Sequence, residues 1–388
     1  MSERKFEFTL PTRIIFQPGC IRQVGVEALP YRPRRALLVT DPGVLAAGIA
    51  QKAADSLQSV GIPYQIFSDL SPNPRDYELD AGGRLAREAG IDLIVAVGGG
   101  SALDAAKAIG VLLTHPGCIL DWCGSGGLDR PIVPLIAVPT TAGTGSEVTP
   151  FSVVTNSQTH IKQCVWDLRV AARVALLDSE LLSGLPAPVM AATGIDALTH
   201  AVEAYTCTQA TPFTDPLALR AITLVSQNLR QAVDTHAPEA CAHMLLASNL
   251  AGIAFAFSDV AAVHTMAEAL GGRYDLPHGQ VNAMLLCTVS RHNIPFAAGR
   301  YAEVAAALGV PHTPDAQQMA LQGVEEMRRL CRDVGIGPLR AAACVNPADF
   351  PALARAAMTN DATYSNPAPI TEQTYCTLFQ EAYEEKGC

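Results

Sequence analysis

The stretch LIVAVGGGSALDAAK, residues 93–107, determines how the first half of the chain folds. Its first five residues, Leu93 to Val97, form a continuous apolar run, which is typical of a strand buried on both faces of a parallel sheet. Three glycines follow, and then a helical segment that we expect Ser101 to cap at its N-terminus. Glycines admit a ligand close to the backbone, and the free N–H groups of a helix start favour an anion. The segment predicts a phosphate-binding turn or, with equal weight, a tight strand–helix turn without a ligand.

The same alternation of strand and helix extends on both sides of this segment. Further buried strands are predicted at residues 35–40, 135–138 and 174–177, and a helix is predicted at residues 44–60. Alternating strands and helices form doubly wound layers, in which ligands bind at the carboxyl ends of the strands. We therefore predict an α/β N-terminal domain with a doubly wound parallel sheet over residues 1–185.

The apolar strand runs stop near residue 185, and Ala-rich sequence with helical spacing takes over. Helices are predicted at residues 191–205, 216–229, 240–257, 301–308 and 314–334. Residues 186–388 are therefore expected to form an all-α C-terminal domain. Two domains also agree with a length of 388 residues, which is too long for one ordinary core.

Composition excludes several classes of partner. The formal net charge is −10 and no run of Lys and Arg is present, so nucleic acid is not an expected partner. We expect neither a signal peptide nor a membrane span, because no apolar stretch of the required length and composition is seen. The eleven cysteines are scattered without a C-x-x-C pair, which favours reduced thiols and a cytoplasmic location.

A second glycine- and hydroxyl-rich loop, PTTAGTGSE at residues 139–147, follows another predicted strand. Two such loops at successive strand ends suit a dinucleotide lying along that edge of the sheet, although a long surface turn is the alternative. Asp41 ends the strand at residues 35–40. Its carboxylate could accept hydrogen bonds from a ribose and so favour NAD over NADP, or it could start the turn Asp-Pro-Gly.

The helical half contains one carboxylate and three imidazoles that could bind a metal. Asp196 and His200 lie four residues apart and so share one face of a predicted helix. His264 and His278 follow further along the chain. Such a set suits a divalent ion such as Fe(II) or Zn(II). An Asp/His pair at this spacing is, by itself, more often an ordinary surface or core pair.

In combination, these motifs resemble the iron-containing (group III) alcohol dehydrogenase family over essentially the whole chain. The resemblance rests on GGGSALDAAK (98–107), PTTAGTGSEVT (139–149), LPAPVMAATGIDALTHAVEAY (185–205) and VHTMAEALGGRYDLPHG (263–279), in that order. It implies a dinucleotide-binding N-terminal domain, a helical metal-binding C-terminal domain, and an active site in the cleft between them. It also implies a small alcohol or aldehyde as substrate and a homo-oligomer, a dimer or higher.

The resemblance also implies a set of site residues. The metal, Fe(2+) with Zn(2+) as an alternative, would be bound by Asp196, His200, His264 and His278. The NAD-binding residues would be Asp41, Asn73, Gly99, Gly100, Ser101, Thr140, Thr141, Thr144, Thr149, Lys162 and Leu181.

The chain departs from the family pattern at Glu268. Many relatives carry a histidine there, in M-A-H-x-L-G, where this chain has Met266-Ala-Glu268-Ala-Leu-Gly. Glu268 lies one helical turn after His264, so we expect it to face the active-site cleft, where it would disfavour anionic substrates. With His278, it is a candidate for proton transfer; it could also bind a substrate hydroxyl or the metal.

The sequence thus predicts a metal- and NAD-dependent alcohol dehydrogenase or aldehyde reductase. Two alternatives remain open at this point. One is a dehydroquinate-synthase-like lyase that uses NAD and a metal, although the metal-binding stretches have few basic residues for such a substrate. The other is a non-catalytic metal or nucleotide sensor.

Overall fold

The computed structural model describes residues 5–124 and 127–384. These residues form two compact units. The sheet unit contains residues 10–141 and 145–185, and the helical unit contains the described residues before 10, residues 142–144, and residues from 186 onward.

The sheet unit is built on a six-stranded parallel sheet. Its strands are β1 (Arg13–Phe16), β2 (Ala36–Thr40), β3 (Tyr64–Phe67), β4 (Leu93–Gly98), β5 (Leu135–Pro139) and β8 (Val174–Leu177), while β6 (Phe151–Thr155) and β7 (Lys162–Trp166) form an antiparallel hairpin. The sheet order is β1-β8-β5-β4-β2-β3. Every residue of β2, β4, β5 and β8 is buried, as expected for strands covered on both faces. The predicted doubly wound parallel sheet is confirmed.

The helices of the sheet unit fall between its strands. They are α1 (Val24–Ala28), α2 (Pro42–Ala46), α3 (Ile49–Ser59), α4 (Asp76–Glu88) and α5 (Gly100–Thr114). The predicted single helix over residues 44–60 is wrong, because the chain breaks at Gly48, whose φ of 71° is left-handed. The predicted cap of α5 is also wrong. Gly99 is the N-cap residue, and Ser101 lies inside the helix with its hydroxyl donating to the carbonyl of Pro72.

Two strands of the parallel sheet were not predicted, and both lie at its edges. In β1 and β3, every residue except Phe67 is at least partly exposed. An edge strand has one neighbouring strand and needs no continuous apolar run, so its sequence signal is weak. The β6–β7 hairpin was missed for a related reason, because Val165 is the one buried residue of β7 and the strand has no apolar run over its full length.

The helical unit consists of eight α-helices within its described residues. They are α6 (Ala187–Thr206), α7 (Asp215–Thr235), α8 (Pro238–Ala256), α9 (Ala262–Tyr274), α10 (His278–Ala307), α11 (Ala316–Asp333), α12 (Phe350–Met358) and α13 (Glu372–Glu384). The helix predicted at residues 301–308 is the end of α10, which is kinked near Pro295 and Ala297. Helix α8 is long and apolar enough to cross a membrane, but 67% of its apolar window is buried, which is typical of a core helix.

Candidate metal and nucleotide sites

Helix α6 positions the first two predicted metal ligands. Asp196 and His200 are separated by one turn, so both side chains lie on the same face of the helix. Both are buried, with residue exposures of 1% and 4%. Buried carboxylates are rare unless they are paired or bind a metal, so this pair requires partners from other helices.

Helices α9 and α10 provide those partners. His264 lies in the first turn of α9, and His278 is the first residue of α10. One ligand atom from each of Asp196, His200, His264 and His278 can be chosen so that all four atoms lie within 4.8 Å of one another. We refer to these four residues as the Asp-His cluster. The structure thus brings together residues that are up to 82 positions apart in sequence.

Gly279 allows α10 to approach α6 closely. A Cβ atom at this position would lie 2.6 Å from the carbonyl oxygen of Ala192 and 3.0 Å from the Cβ of Asp196. Any larger residue would therefore collide with the backbone of α6. The glycine that follows His278 is needed for that imidazole to lie beside Asp196, and the Nε2 of His278 is 3.9 Å from Oδ1 of Asp196.

The cluster controls the protonation of its own members. Burial lowers the pKa of His200 to about 4, and the charge of Asp196 offsets only part of that effect. Burial also opposes ionisation of Asp196, but the surrounding imidazoles outweigh it, so the pKa of Asp196 lies below its usual value. His200 and Asp196 are therefore held as a neutral imidazole and a carboxylate, the forms in which each binds a metal.

The donor set fits a divalent first-row metal. Three imidazole nitrogens and one carboxylate oxygen are ligands that Fe(II) and Zn(II) accept. Nδ1 of His200 is buried and has no hydrogen-bond partner among the described residues, an arrangement that is costly in a site without an ion. Asp196, His200, His264 and His278 are thus the residues that would hold the ion.

Two buried neighbours of the cluster were missed by the sequence analysis. Asn282, one turn after His278, places its Nδ2 2.7 Å from Oδ1 of Asp196 and 3.1 Å from Nε2 of both His264 and His278. Glu203, two turns after Asp196, accepts a hydrogen bond from Nδ1 of His264 at 2.5 Å. Their spacing from the predicted ligands was the available signal, because i+4 and i+7 residues share a helix face.

Glu268 lies on α9 one turn beyond His264, and its charge contributes to the electrostatic environment of that imidazole. Oε2 of Glu268 accepts a hydrogen bond from Nδ2 of Asn360 at 2.7 Å. Oδ1 of Asn360 in turn accepts from the backbone N–H of Ala362, which fixes the orientation of the amide. Glu268 is therefore held by a partner that was not apparent from sequence.

In the sheet unit, two of the predicted nucleotide residues follow strands at the point where the sheet order reverses. The chain passes from β2 outward to β3 and then returns to β4 on the other side of β2. Asp41 follows β2, and Gly99 follows β4. A Cβ atom at Gly98 would lie 3.2 Å from Oδ2 of Asp41, so the two strand ends are adjacent. Such a reversal creates the crevice in which α/β sheets bind nucleotides.

Asp41 also has a structural role, because its Oδ1 accepts a hydrogen bond from the backbone N–H of Val44 and caps α2. The two roles left open by the sequence are compatible, since the second oxygen points toward Gly98.

Other predicted nucleotide residues lie near the same edge. A Cβ atom at Gly99 would be 3.3 Å from Oγ1 of Thr141. The hydroxyl of Ser101 donates a hydrogen bond to the carbonyl of Pro72, the residue before Asn73. Thr140 directly follows β5, and its backbone N–H donates to Gly98. Gly100 starts α5. The carboxyl ends of β4 and β5 thus bring Gly99, Gly100 and Thr141 together.

The remaining predicted nucleotide residues are more dispersed. Thr149 is completely buried and accepts a hydrogen bond from Nζ of Lys107, while Lys162 begins β7 and pairs in register with Thr155. Leu181 is buried in the short 3-10 helix Ser179–Leu182, and Thr144 belongs to the helical unit.

Comparison with known proteins gives matches over both halves of the chain. Residues 11–179 match the family model described as "Iron-containing alcohol dehydrogenase", and residues 190–383 match "Fe-containing alcohol dehydrogenase family, C-terminal".

Individual relatives match over almost their full length. The chain is 40% identical to the 1,3-propanediol dehydrogenase of Citrobacter freundii, covering 99% of this chain and 100% of the relative. It is 34% identical to the NAD-dependent methanol dehydrogenase of Bacillus methanolicus, covering 97% and 99%. A solved structure of 1,3-propanediol oxidoreductase superposes with a TM-score of 0.95 at 39% identity, covering 98% of this chain and 100% of that one.

Proposed function

Since the chain belongs to the iron-containing alcohol dehydrogenase family, we propose that it transfers a hydride between NAD(H) and a small alcohol or aldehyde at the Asp-His cluster. The observation that supports this site is the convergence of one carboxylate and three imidazoles within 4.8 Å. Family membership also favours a dehydrogenase over the lyase and sensor alternatives.

In this proposal, the Asp-His cluster holds Fe(2+), with Zn(2+) as the alternative ion. When bound, such an ion supplies a Lewis acid that polarises the substrate oxygen, and NAD supplies or accepts the hydride. The protein keeps Asp196 ionised and His200 neutral, so both are ready to bind the ion. Burial of Asp196, His200 and His264 excludes water from these ligands and strengthens their electrostatic interactions.

We assign the nucleotide to the carboxyl ends of β2, β4 and β5. There, Asp41 would accept from the adenosine ribose and disfavour a 2′-phosphate, and the start of α5 would bind the pyrophosphate. The other contacts carried over from the family are Asn73, Gly99, Gly100, Ser101, Thr140, Thr141, Thr144, Thr149, Lys162 and Leu181. Residues 1–185 would then be the dinucleotide-binding domain, and residues 186–388 the metal-binding domain.

We further assign proton transfer to His278 and Glu268. His278 is the most exposed member of the cluster, with 26% of its side chain accessible, and an imidazole is the side chain most often used for proton transfer. Glu268 is held beside His264 by Asn360, where a carboxylate can accept a proton from a substrate hydroxyl or from water.

The decisive test replaces one ligand. His264→Ala is expected to abolish the NAD-dependent oxidation of small alcohols. The same variant should contain less iron or zinc per chain, because one of four ligands is lost. NADH absorbance and elemental analysis measure the two effects, and the exposed His312 provides a matched control in His312→Ala. Full activity in the His264 variant or in metal-stripped protein would exclude this mechanism.

Two further assignments complete the proposal. The ten cysteines in the described residues are all free thiols, which supports a reducing, cytoplasmic location.

We also propose a homo-oligomer, a dimer or higher. Strand β1 lies at the edge of the parallel sheet and carries the exposed Phe16, so it offers an edge for pairing with a second copy.

A further inference from the structure

Glu203 is a buried carboxylate that the proposed chemistry does not use. It lies on α6, and its side chain is 3% exposed. A buried carboxylate is expensive unless its oxygens accept several hydrogen bonds. Those bonds all come from the start of α9. Oε1 accepts from the backbone N–H of Val263 at 2.7 Å, and Oε2 accepts from that of Ala261 at 3.0 Å.

Part of this arrangement is helix capping. The N-cap residue of α9 is Ala261, which has no polar side chain to satisfy the free N–H groups of the first turn. Glu203 takes that role from another helix, and its negative charge also suits the positive end of the α9 dipole. These hydrogen bonds connect α9, which carries His264, to α6, which carries Asp196 and His200.

Capping does not account for the third hydrogen bond, from Nδ1 of His264 to Oε2 of Glu203 at 2.5 Å. A carboxylate can only accept, so the imidazole must carry a proton on Nδ1. The other ring nitrogen, Nε2, faces the NH₂ group of Asn282, which can only donate, so in the neutral ring Nε2 presents its lone pair. Nε2 lies on the side of the Asp-His cluster, 3.1 Å from Nδ2 of Asn282, which also contacts Asp196 and His278.

We propose that Glu203 is the positioning residue of the metal site: it fixes the tautomer and ring orientation of His264 so that Nε2 faces the ion, and it holds α9 against α6. The inference rests on the proposed function, because it assumes that the cluster binds a metal. Carboxylates that orient a ligand histidine in this way typically contribute 10–100-fold to metal affinity.

The first test measures metal affinity. Glu203→Gln keeps the size of the side chain but places an NH₂ group against N–H donors, and Glu203→Ala removes all three acceptor contacts. We expect the dissociation constant for Zn(II), measured by competition with a chelator, to rise about 10-fold in Glu203→Gln and up to about 100-fold in Glu203→Ala. The d–d absorption of the Co(II)-substituted variants should also differ from that of the wild type.

Glu303→Gln is the matched control. Glu303 lies in the same helical unit and accepts a hydrogen bond from the hydroxyl of Tyr205, away from His264. Its replacement should lower the melting temperature without changing the Zn(II) dissociation constant. A folded Glu203→Gln variant with wild-type affinity and an unchanged Co(II) spectrum would overturn the inference while leaving the proposed function intact. Failure of the wild type to bind any divalent metal would overturn both.

A second measurement uses the wild type alone, so it does not depend on the folding of a variant. In zinc-loaded protein with ¹⁵N-labelled histidine, the ring of His264, assigned with His264→Ala, should show a proton on Nδ1 and zinc on Nε2. The opposite pattern, with the proton on Nε2, would overturn the inference.

Discussion

At the scale of single residues, Glu268 is a carboxylate that the sequence predicts to face the active site. Its carboxylate is oriented by Asn360 and lies one turn from His264. A unit charge about 8 Å from a substrate anion contributes about 2 kcal/mol at an effective dielectric constant of about 20. Glu268 should therefore select against aldehydes that carry a carboxylate or sulfonate.

Glu268→Gln tests this selection. We expect the ratio of kcat/KM for an anionic aldehyde to that for a neutral aldehyde of similar size to rise roughly 30-fold, because a repulsion of about 2 kcal/mol is removed. Steady-state NADH oxidation with both aldehydes gives the ratio. Glu268→Asp keeps the charge and should keep the wild-type ratio. An unchanged ratio in Glu268→Gln would show that the carboxylate does not affect the bound substrate.

At the scale of secondary-structure elements, the buried Lys107 and its partly buried partner Asp104 anchor the loop after β5 to α5. Nζ of Lys107 donates to Oγ of Ser146 at 2.8 Å, to Oγ1 of Thr149 at 3.0 Å, and to the carbonyl of Phe151 at 2.7 Å. Asp104, one turn earlier on α5, accepts from Ser146 at 2.5 Å. Burial lowers the pKa of Lys107, and Asp104 offsets part of this effect.

Lys107→Met should weaken both the fold and cofactor binding. Breaking a buried pair leaves an uncompensated charge and typically costs about 3–5 kcal/mol, which urea denaturation would measure. Because Thr149 loses its donor, the KM for NAD should also rise. The double variant Lys107→Met/Asp104→Leu should recover part of the lost stability, and Lys52→Met on α3 is the control. A single variant as stable as the wild type would refute this anchoring role.

At the scale of the whole molecule, a bound ion would join α6, α9 and α10, because each contributes to the Asp-His cluster. A ligand that binds only the folded state stabilises it by about 2.7 kcal/mol at a free concentration of about 100 times its dissociation constant. We therefore expect chelation to lower the melting temperature, and added Fe(II) or Zn(II) to restore it in proportion to log concentration.

His264→Ala should show no such dependence on metal concentration. Differential scanning fluorimetry of the two proteins across a metal series provides the comparison. A wild-type melting temperature that is independent of metal would mean that the ion does not connect these helices.

The sequence by itself determined the central strands of the sheet and most helices of the second half. Runs such as Leu93–Val97 are apolar on every residue because both faces of an inner strand are covered, and this requirement is visible locally. The same is true of Asp196 and His200, whose spacing places them on one face of α6 wherever that helix packs. Motif resemblance then connected them with His264 and His278.

Only the tertiary structure decided which helix faces meet. The edge strands β1 and β3 have no apolar run over their full length. Each forms because its backbone hydrogen-bonds to a neighbouring strand, β8 for β1 and β2 for β3. The spacing of Glu203 and Asn282 places them on the ligand-bearing faces of their helices, but their roles depend on hydrogen bonds to residues 61 and 86 positions away. Spacing along a helix determines the direction of a side chain, whereas its partner depends on packing between helices, which brings distant residues together only when the whole unit folds.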